Sequence, residues 1–198
     1  MTTLQHAMFR LAASLALLVA MSTCALVARA DEALWSQLRQ GGHVILMRHA
    51  VTLSGIGDPS NFMLGDCSTQ RNLSGQGRDD ARRIGRMFRE KSIPVEDVWT
   101  SRWCRCIDTA LLAFENAKTM PMLDSIFNDD AKRAAEKTAE AMRVITRAEL
   151  KGNLVLVTHQ QNIQALVGES LSSGEMLVAR KDQSGRLKLL GRLQPPSR

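Results

Sequence analysis

Arg48, His49, Arg105 and His159 have the side-chain types and placements for chemistry on an anion. Arg48 and His49 directly follow the apolar run Val44-Ile45-Leu46-Met47, and His159 follows Leu154-Val155-Leu156-Val157-Thr158 in the same manner. A guanidinium presents a fork of donors that matches phosphate oxygens, and a neutral imidazole is a nucleophile toward phosphorus. Together they describe a histidine pair in an arginine-lined pocket. Permanent positive charges beside the imidazoles would repel a cation at low effective dielectric, which argues against reading the histidines as metal ligands. His43 lies about 20 Å along an extended strand from the pair and is expected to be structural.

The elements that must position these residues follow from hydrophobic patterning. A continuous apolar run suits a strand covered on both faces of a parallel sheet, and ligands sit beyond the carboxyl ends of such strands. Two parallel, neighbouring runs would therefore deliver His49 and His159 to one edge. Residues 31–40 read as a short helix ended by Gly41-Gly42. The stretch 51–72 lacks periodicity and holds Gly55, Gly57, Pro59 and Gly65, the mark of a functional loop. Ser74 can cap a helix with Ala81, Ile84, Gly85 and Phe88 on one stripe, stopped by Pro94. A strand over 95–101 leads into a helix with Ile107, Ala110, Leu111 and Phe114 inward and Arg105 in its first turn, where helix ends attract anions. Residues 120–127 read as extended, and Asn128-Asp129-Asp130 caps an alanine-rich helix reaching about Leu150. A helix over 161–171 and a hairpin of 175–181 with 187–192 complete the chain. Alternating strands and helices predict an α/β three-layer sandwich, a mostly parallel central sheet flanked by helices.

The 198 residues carry a net charge of +6 and only 4 % aromatics. Residues 1–30 read as a signal peptide: Arg10 precedes an apolar stretch from Leu11 to Met21, and Ala28-Arg29-Ala30 places small residues for cleavage after Ala30. That stretch is shorter than the roughly 20 residues a bilayer span needs, and no small residue precedes Cys24 to suit a lipid anchor. A periplasmic or secreted chain with one domain over 31–198 follows, with no membrane span after signal removal. Its balance of 24 basic and 20 acidic residues suits a small anionic ligand better than nucleic acid. The three remaining cysteines allow one bridge, and pairing of Cys67 with Cys104 or Cys106 suits an oxidising compartment. A zinc site is the competing reading, weakened by the absence of CxxC spacing.

Three motifs carry a family resemblance. Leu46-Met47-Arg48-His49-Ala50, then Ser101-Arg102-Trp103-Cys104-Arg105 with Thr109-Ala110, then Val157-Thr158-His159 resemble the signatures of the histidine phosphatase superfamily, or phosphoglycerate mutase-like fold. Asn72-Leu73-Ser74-Gly75-Gln76-Gly77-Arg78 resembles its helix start. Ala50 stands where that family has glycine, and Gln160-Gln161 where it often has glycines. The resemblance implies that His49 is a phosphohistidine nucleophile and that Arg48, Arg105 and His159 cradle the phosphoryl group, with no cofactor. Gln160 is a further expected substrate contact.

A carboxylate acid is implied as well, often from the segment after the second arginine's helix. Asp124, Asp129 and Asp130 lie there, with Asp130 the expected donor, although helix capping explains Asp129 and Asp130 equally. Asp58 or Asp66 in the long loop could substitute, and Gln70 and Arg71 are candidate substrate contacts. The expected activity is an exported, metal-independent phosphomonoesterase. A noncatalytic phosphate-ligand-binding protein of the envelope and a phosphoglycerate mutase are the alternatives. The resemblance extends to envelope sugar phosphates as a substrate class.

Overall fold

The computed structural model describes residues 32–196, so the expected leader over 1–30 lies outside them. Two units are distinguished, Met1–Gln37 and Leu38–Arg198. What is described of the first is most of a short helix, α1 (32–38). The sheet and the site belong to the second.

In chain order that unit holds β1 (Val44–Arg48), α2 (Gly75–Glu90), β2 (Val95–Thr100), α3 (Cys104–Phe114), β3 (Lys118–Thr119), α4 (Ala131–Arg147), β4 (Asn153–Thr158), α5 (Gln160–Val167), β5 (Met176–Lys181) and β6 (Leu187–Leu193). One sheet runs β3-β2-β4-β1-β5-β6. The first four strands are mutually parallel, and β5 and β6 complete it as an antiparallel hairpin. The expected three-layer α/β sandwich is what forms.

Side chains alternate across a strand, so each central strand feeds two cores. Val44, Leu46, Leu154 and Leu156 pack with Ala141 and Ile145 of α4 and Ile163 of α5. Ile45, Met47, Val155 and Val157 point to the other face and are equally buried, which is why both runs are apolar without interruption. Asn153 ties the lower ends of the central strands together. Its amide donates to Leu38 O at 2.7 Å and Pro94 O at 2.8 Å, and its Oδ1 accepts from His43 N at 3.3 Å. A buried amide satisfied on both sides costs little and holds the strand starts level.

Several boundaries differ from the sequence reading. α2 stops at Glu90, ahead of Pro94, through Lys91 and a positive φ of 54° at Ser92. α4 ends at Arg147 rather than near Leu150, and α5 ends at Gly168 with φ 75° rather than at Leu171. The stretch expected to be extended over 120–127 contains a 3-10 turn, Pro121–Leu123, because a proline at its start favours a turn. In α3 the buried face is Cys106, Thr109, Ala110 and Ala113, and Leu111 is 44 % exposed. Small residues are required there because α2 and α3 approach closely.

Gly85 marks that approach: a Cβ on it would lie 2.2 Å from Ala113 O. Gly85→Ala is expected to destabilise the protein by about 1–3 kcal/mol, the range for overpacking. Gly75→Ala, at a position with nothing within 4 Å, is the control and is expected to leave the urea midpoint unchanged or slightly raised. Equal midpoints for the two variants would mean that α2 and α3 separate at no cost.

Candidate active site

Register creates the site. β1 pairs with β4 from Val44↔Leu154 to Arg48↔Thr158, so the next residue on each strand is a histidine. His49 N donates to Thr158 O at 3.0 Å, carrying the ladder one step further. The two imidazoles meet edge to face with centroids 5.6 Å apart, both almost fully buried. β2 ends at the same edge, and Ser101 N donates to Val157 O at 3.1 Å. From there the chain turns into α3, whose first turn holds Arg105.

The tautomer of each ring follows from its partners. His49 Nδ1 lies 2.9 Å from Ala50 O, and a carbonyl only accepts, so Nδ1 carries the proton and Nε2 keeps a lone pair. Burial drives the His49 pKa down to about 3; the bond to Ala50 opposes this, and Arg105, Arg48 and Arg71 reinforce it. The ring is a neutral base at physiological pH. His159 is reversed. Its Nδ1 accepts from Arg105 Nη2 at 3.4 Å, and its Nε2 lies 2.9 Å from Ser101 Oγ, to which it donates. Burial first, then Arg105 and His49, push its pKa well below the ordinary value. With its acceptor nitrogen on a guanidinium, His159 braces Arg105, whereas the lone pair on His49 Nε2 is left uncommitted.

A polar chain supports this brace. Ser101 Oγ donates to Asp124 Oδ1 at 3.4 Å, and the buried Asp124 carboxylate also accepts from Arg102 N at 2.8 Å, Nε at 2.8 Å and Nη2 at 2.5 Å. Asp124 therefore anchors the turn between β2 and α3. Thr109 closes the other side: its hydroxyl donates to Arg105 O at 2.6 Å and accepts from Ala50 N at 3.0 Å.

Five arginines line the cavity, and three of them, Arg48, Arg71 and Arg105, act on the His49 imidazole. Arg48 donates to Leu171 O at 2.8 Å, and Arg71 donates to Thr52 Oγ1 and Gly55 O, both at 2.8 Å. Arg105 meets Asp58 through two bonds, at 2.7 and 3.2 Å. The Nε–H groups of all three arginines are buried without a protein partner. Unpartnered donors are costly inside a protein, and an anion with several oxygens answers that cost. Asp58 also accepts from Trp103 Nε1 at 2.9 Å and Arg71 N at 3.0 Å. Burial alone would raise the Asp58 carboxyl, but these donors hold it below the usual carboxylate range. The cavity has a volume of about 670 Å³.

The four residues at the strand and helix ends thus converge, whereas several other expectations change. Asp130 caps α4 by accepting from Arg133 N at 2.9 Å and is exposed outside the cavity, so it is placed as a cap and not as a proton donor. Asp129 does line the cavity, held by Lys137 Nζ at 2.5 Å. Asp66 caps the 3-10 turn Cys67–Thr69 and lies outside the cavity lining. Gln160 lines the cavity, yet its Oε1 accepts from Leu171 N at 2.8 Å and so braces the backbone that receives Arg48. Gln70 is buried and caps α3, accepting from Cys104 N at 2.9 Å.

Cys67 bridges Cys104, and Cys106 is a free, buried thiol whose pKa burial pushes up to about 12. Among the described residues no group of three His, Cys, Asp or Glu is arranged to hold a metal ion. Sequence reasoning missed Ser101 and the anchoring role of Asp124. For Ser101 the signal was present, since it ends a strand at the edge where the histidines emerge.

No protein-family model and no curated protein matches the chain. Solved structures do. The protein histidine phosphatase SixA, complexed with tungstate, shares 15 % identity over 77 % of this chain and 97 % of its own, with a TM-score of 0.52. A mycobacterial glucosyl-3-phosphoglycerate phosphatase shares 15 % over 74 % and 96 %, with a TM-score of 0.55. The product of an open reading frame of Mycobacterium tuberculosis shares 14 % over 74 % and 94 %, with a TM-score of 0.58. At these identities the likeness is one of fold, and that fold is the phosphoglycerate mutase-like sandwich on which histidine phosphatases are built.

Proposed function

We propose that the protein is an exported, metal-independent phosphomonoesterase that works through a phosphohistidine on His49. The observation that carries this reading is the pairing of a neutral, orientation-locked imidazole with Arg48, Arg71 and Arg105, whose Nε–H groups are buried without a protein partner. A phosphate dianion entering the cavity meets Arg48, Arg71 and Arg105, which neutralise its oxygens and stabilise charge on them during transfer. Nε2 of His49 attacks phosphorus, the bond to the leaving oxygen breaks, and that oxygen takes a proton. Water then attacks the phosphohistidine, the P–N bond breaks and orthophosphate leaves. The bridge between Cys67 and Cys104 supports an oxidising compartment, which agrees with the leader read from the sequence.

Asp58 is the proton donor in this scheme. At rest it is ionised on Arg105, but a phosphoryl group taking the same guanidinium fork removes its charge partner, so that burial and the entering negative charge act against only the two remaining donors, Trp103 Nε1 and Arg71 N, and drive its pKa upward. The carboxyl then takes up a proton, delivers it to the leaving oxygen, and recovers one from the attacking water.

Three measurements bear on this. Brief reaction with a labelled phosphomonoester, without added metal, is expected to leave acid-labile phosphate on the protein, and His49→Ala to abolish both label and turnover; turnover without any label in the native protein would leave the intermediate unsupported. Asp58→Asn is expected to slow hydrolysis of alkyl phosphates by about 100-fold or more, within the range for a general acid, while aryl phosphates with acidic leaving groups lose less than about tenfold. Equal losses on both would assign Asp58 only to holding Arg105. Finally, the folded protein binds fewer protons than the unfolded chain between pH 6.5 and about 3, because burial depresses His49 and His159. The stability these neutral imidazoles contribute is fully present above pH 6.5 and is lost as pH falls toward 3. The melting temperature is expected to fall across that window, with a shallower slope in His49→Ala.

A further inference from the structure

The cavity is far larger than a phosphate group requires, and its outer part differs in character from its inner end. Its volume of about 670 Å³ is that of a site for a drug-sized molecule. Arg48, His49, Arg105 and His159 hold the inner end. Toward the mouth the wall carries Ile56, Leu64 and Phe127, which are 92 %, 39 % and 48 % exposed. Among the described residues six large hydrophobic side chains are exposed; four of them, Leu53, Ile56, Met63 and Leu64, belong to the 51–72 loop, and Phe127 is a fifth, with Ile56, Leu64 and Phe127 lining the cavity itself. The loop and Phe127 are neighbours, since a Cβ on Gly57 would lie 3.6 Å from Phe127 Cε1. Scattered apolar side chains on a surface need no account, but a concentration at the mouth of a polar pocket marks a binding surface.

Aromatic rings connect the two zones. Trp103 meets His159 edge to face at 5.5 Å and stacks on Phe62 at 5.1 Å with an interplanar angle of 14°. An apolar wall therefore runs outward from the imidazoles. The cations beside it already face acids: Arg102 is paired with Asp124, and Lys137 shares Asp129 with the more exposed Arg133, whose contact is 3.9 Å. A second phosphate or carboxylate on the substrate would have to compete with those acids.

From these observations we infer the substrate class of the site, an inference that rests on the phosphomonoesterase reading above: amphiphilic phosphomonoesters, with one phosphate at the inner end and an uncharged, apolar alkyl or acyl-bearing leaving group along the Trp103, Phe62, Ile56 and Phe127 wall. This class differs from the polar sugar phosphates that the sequence resemblance suggests. Burying one methylene is worth about fourfold in binding, and a wall that stays half open returns about half of that free energy.

The test is kcat/KM across n-alkyl phosphates from methyl to octyl, with a hexose phosphate as the polar comparator. The expected result is a rise of about twofold per methylene, with the hexose phosphate well below hexyl phosphate. Phe127→Ala and Ile56→Ala are expected to flatten that rise, to leave methyl phosphate within about twofold, and to leave inhibition by tungstate unchanged. A flat or falling series, or a hexose phosphate turned over faster than hexyl phosphate, overturns the substrate class while the phosphatase reading stands. No turnover of any ester would instead overturn the phosphatase reading. A short-chain soluble phosphatidic acid and a long-chain one in vesicles separate the sources. Hydrolysis of the first alone supports a free amphiphile, and hydrolysis of both supports a lipid headgroup. Failure on both, with alkyl phosphates also flat, removes the proposal.

Discussion

The parallel pairing of β1 with β4 is the constraint on which the site depends. Arg48 opposes Thr158, so His49 and His159 emerge side by side, and a slip of one residue would turn one imidazole to the opposite face of the sheet. The register is held from both ends. At the lower end Asn153 bonds to Leu38, His43 and Pro94, and at the upper end His49 N continues the ladder to Thr158 O. Between them Val44 to Met47 and Leu154 to Val157 are buried on both faces, and each such side chain contributes about 1.5–3 kcal/mol to keeping the pairing in place.

That rigid frame makes it tolerable to bury a concentration of like charge. Arg48, Arg71 and Arg105 surround two imidazoles, and the protein limits the repulsion by keeping both rings neutral and placing Asp58 against Arg105. The arrangement is consistent with an anion pocket in its resting state, with a carboxylate on the guanidinium that a phosphoryl group would claim. Asp124 has a different task. Its oxygens are taken by Arg102 and Ser101, so its contribution reaches the site through the orientation of His159.

Local patterning made the sheet legible and long-range contacts hid much of the site. The strands of the central sheet announce themselves as apolar runs, and the charged residues just past them mark the edge where His49 and His159 meet. By spacing Leu111 looks like a core residue of α3, while closeness to α2 at Gly85 favours Ala110 and Ala113 on the buried face. Gln70 looks like a candidate substrate contact because nothing local reveals that it caps a helix 34 residues away. Asp130 followed the helix-cap alternative, and Asp58 lies in an aperiodic loop whose conformation depends on contacts with Arg71, Trp103 and Arg105.

Those contacts explain how a long irregular loop can hold a carboxylate to a defined position. The Cys67–Cys104 bridge spans a sequence separation of 37. Closing a loop of that size removes chain entropy worth about 4 kcal/mol from the unfolded state in the simplest model. One anchor fixes only a point. Gln70 on the first turn of α3, Asp58 on Arg105 and Trp103, and the bridge Thr52↔Leu73 fix three more. The loop is therefore fastened to the same helix start that presents Arg105. Any movement that carries Asp58 away from the arginine must work against the bridge and the cap, so exchange of Asp58 for an incoming anion is confined to the stretch 53–66 between the anchors. That stretch also carries Ile56 and Leu64, so part of the apolar lining of the cavity sits on the same segment that presents Asp58 to Arg105.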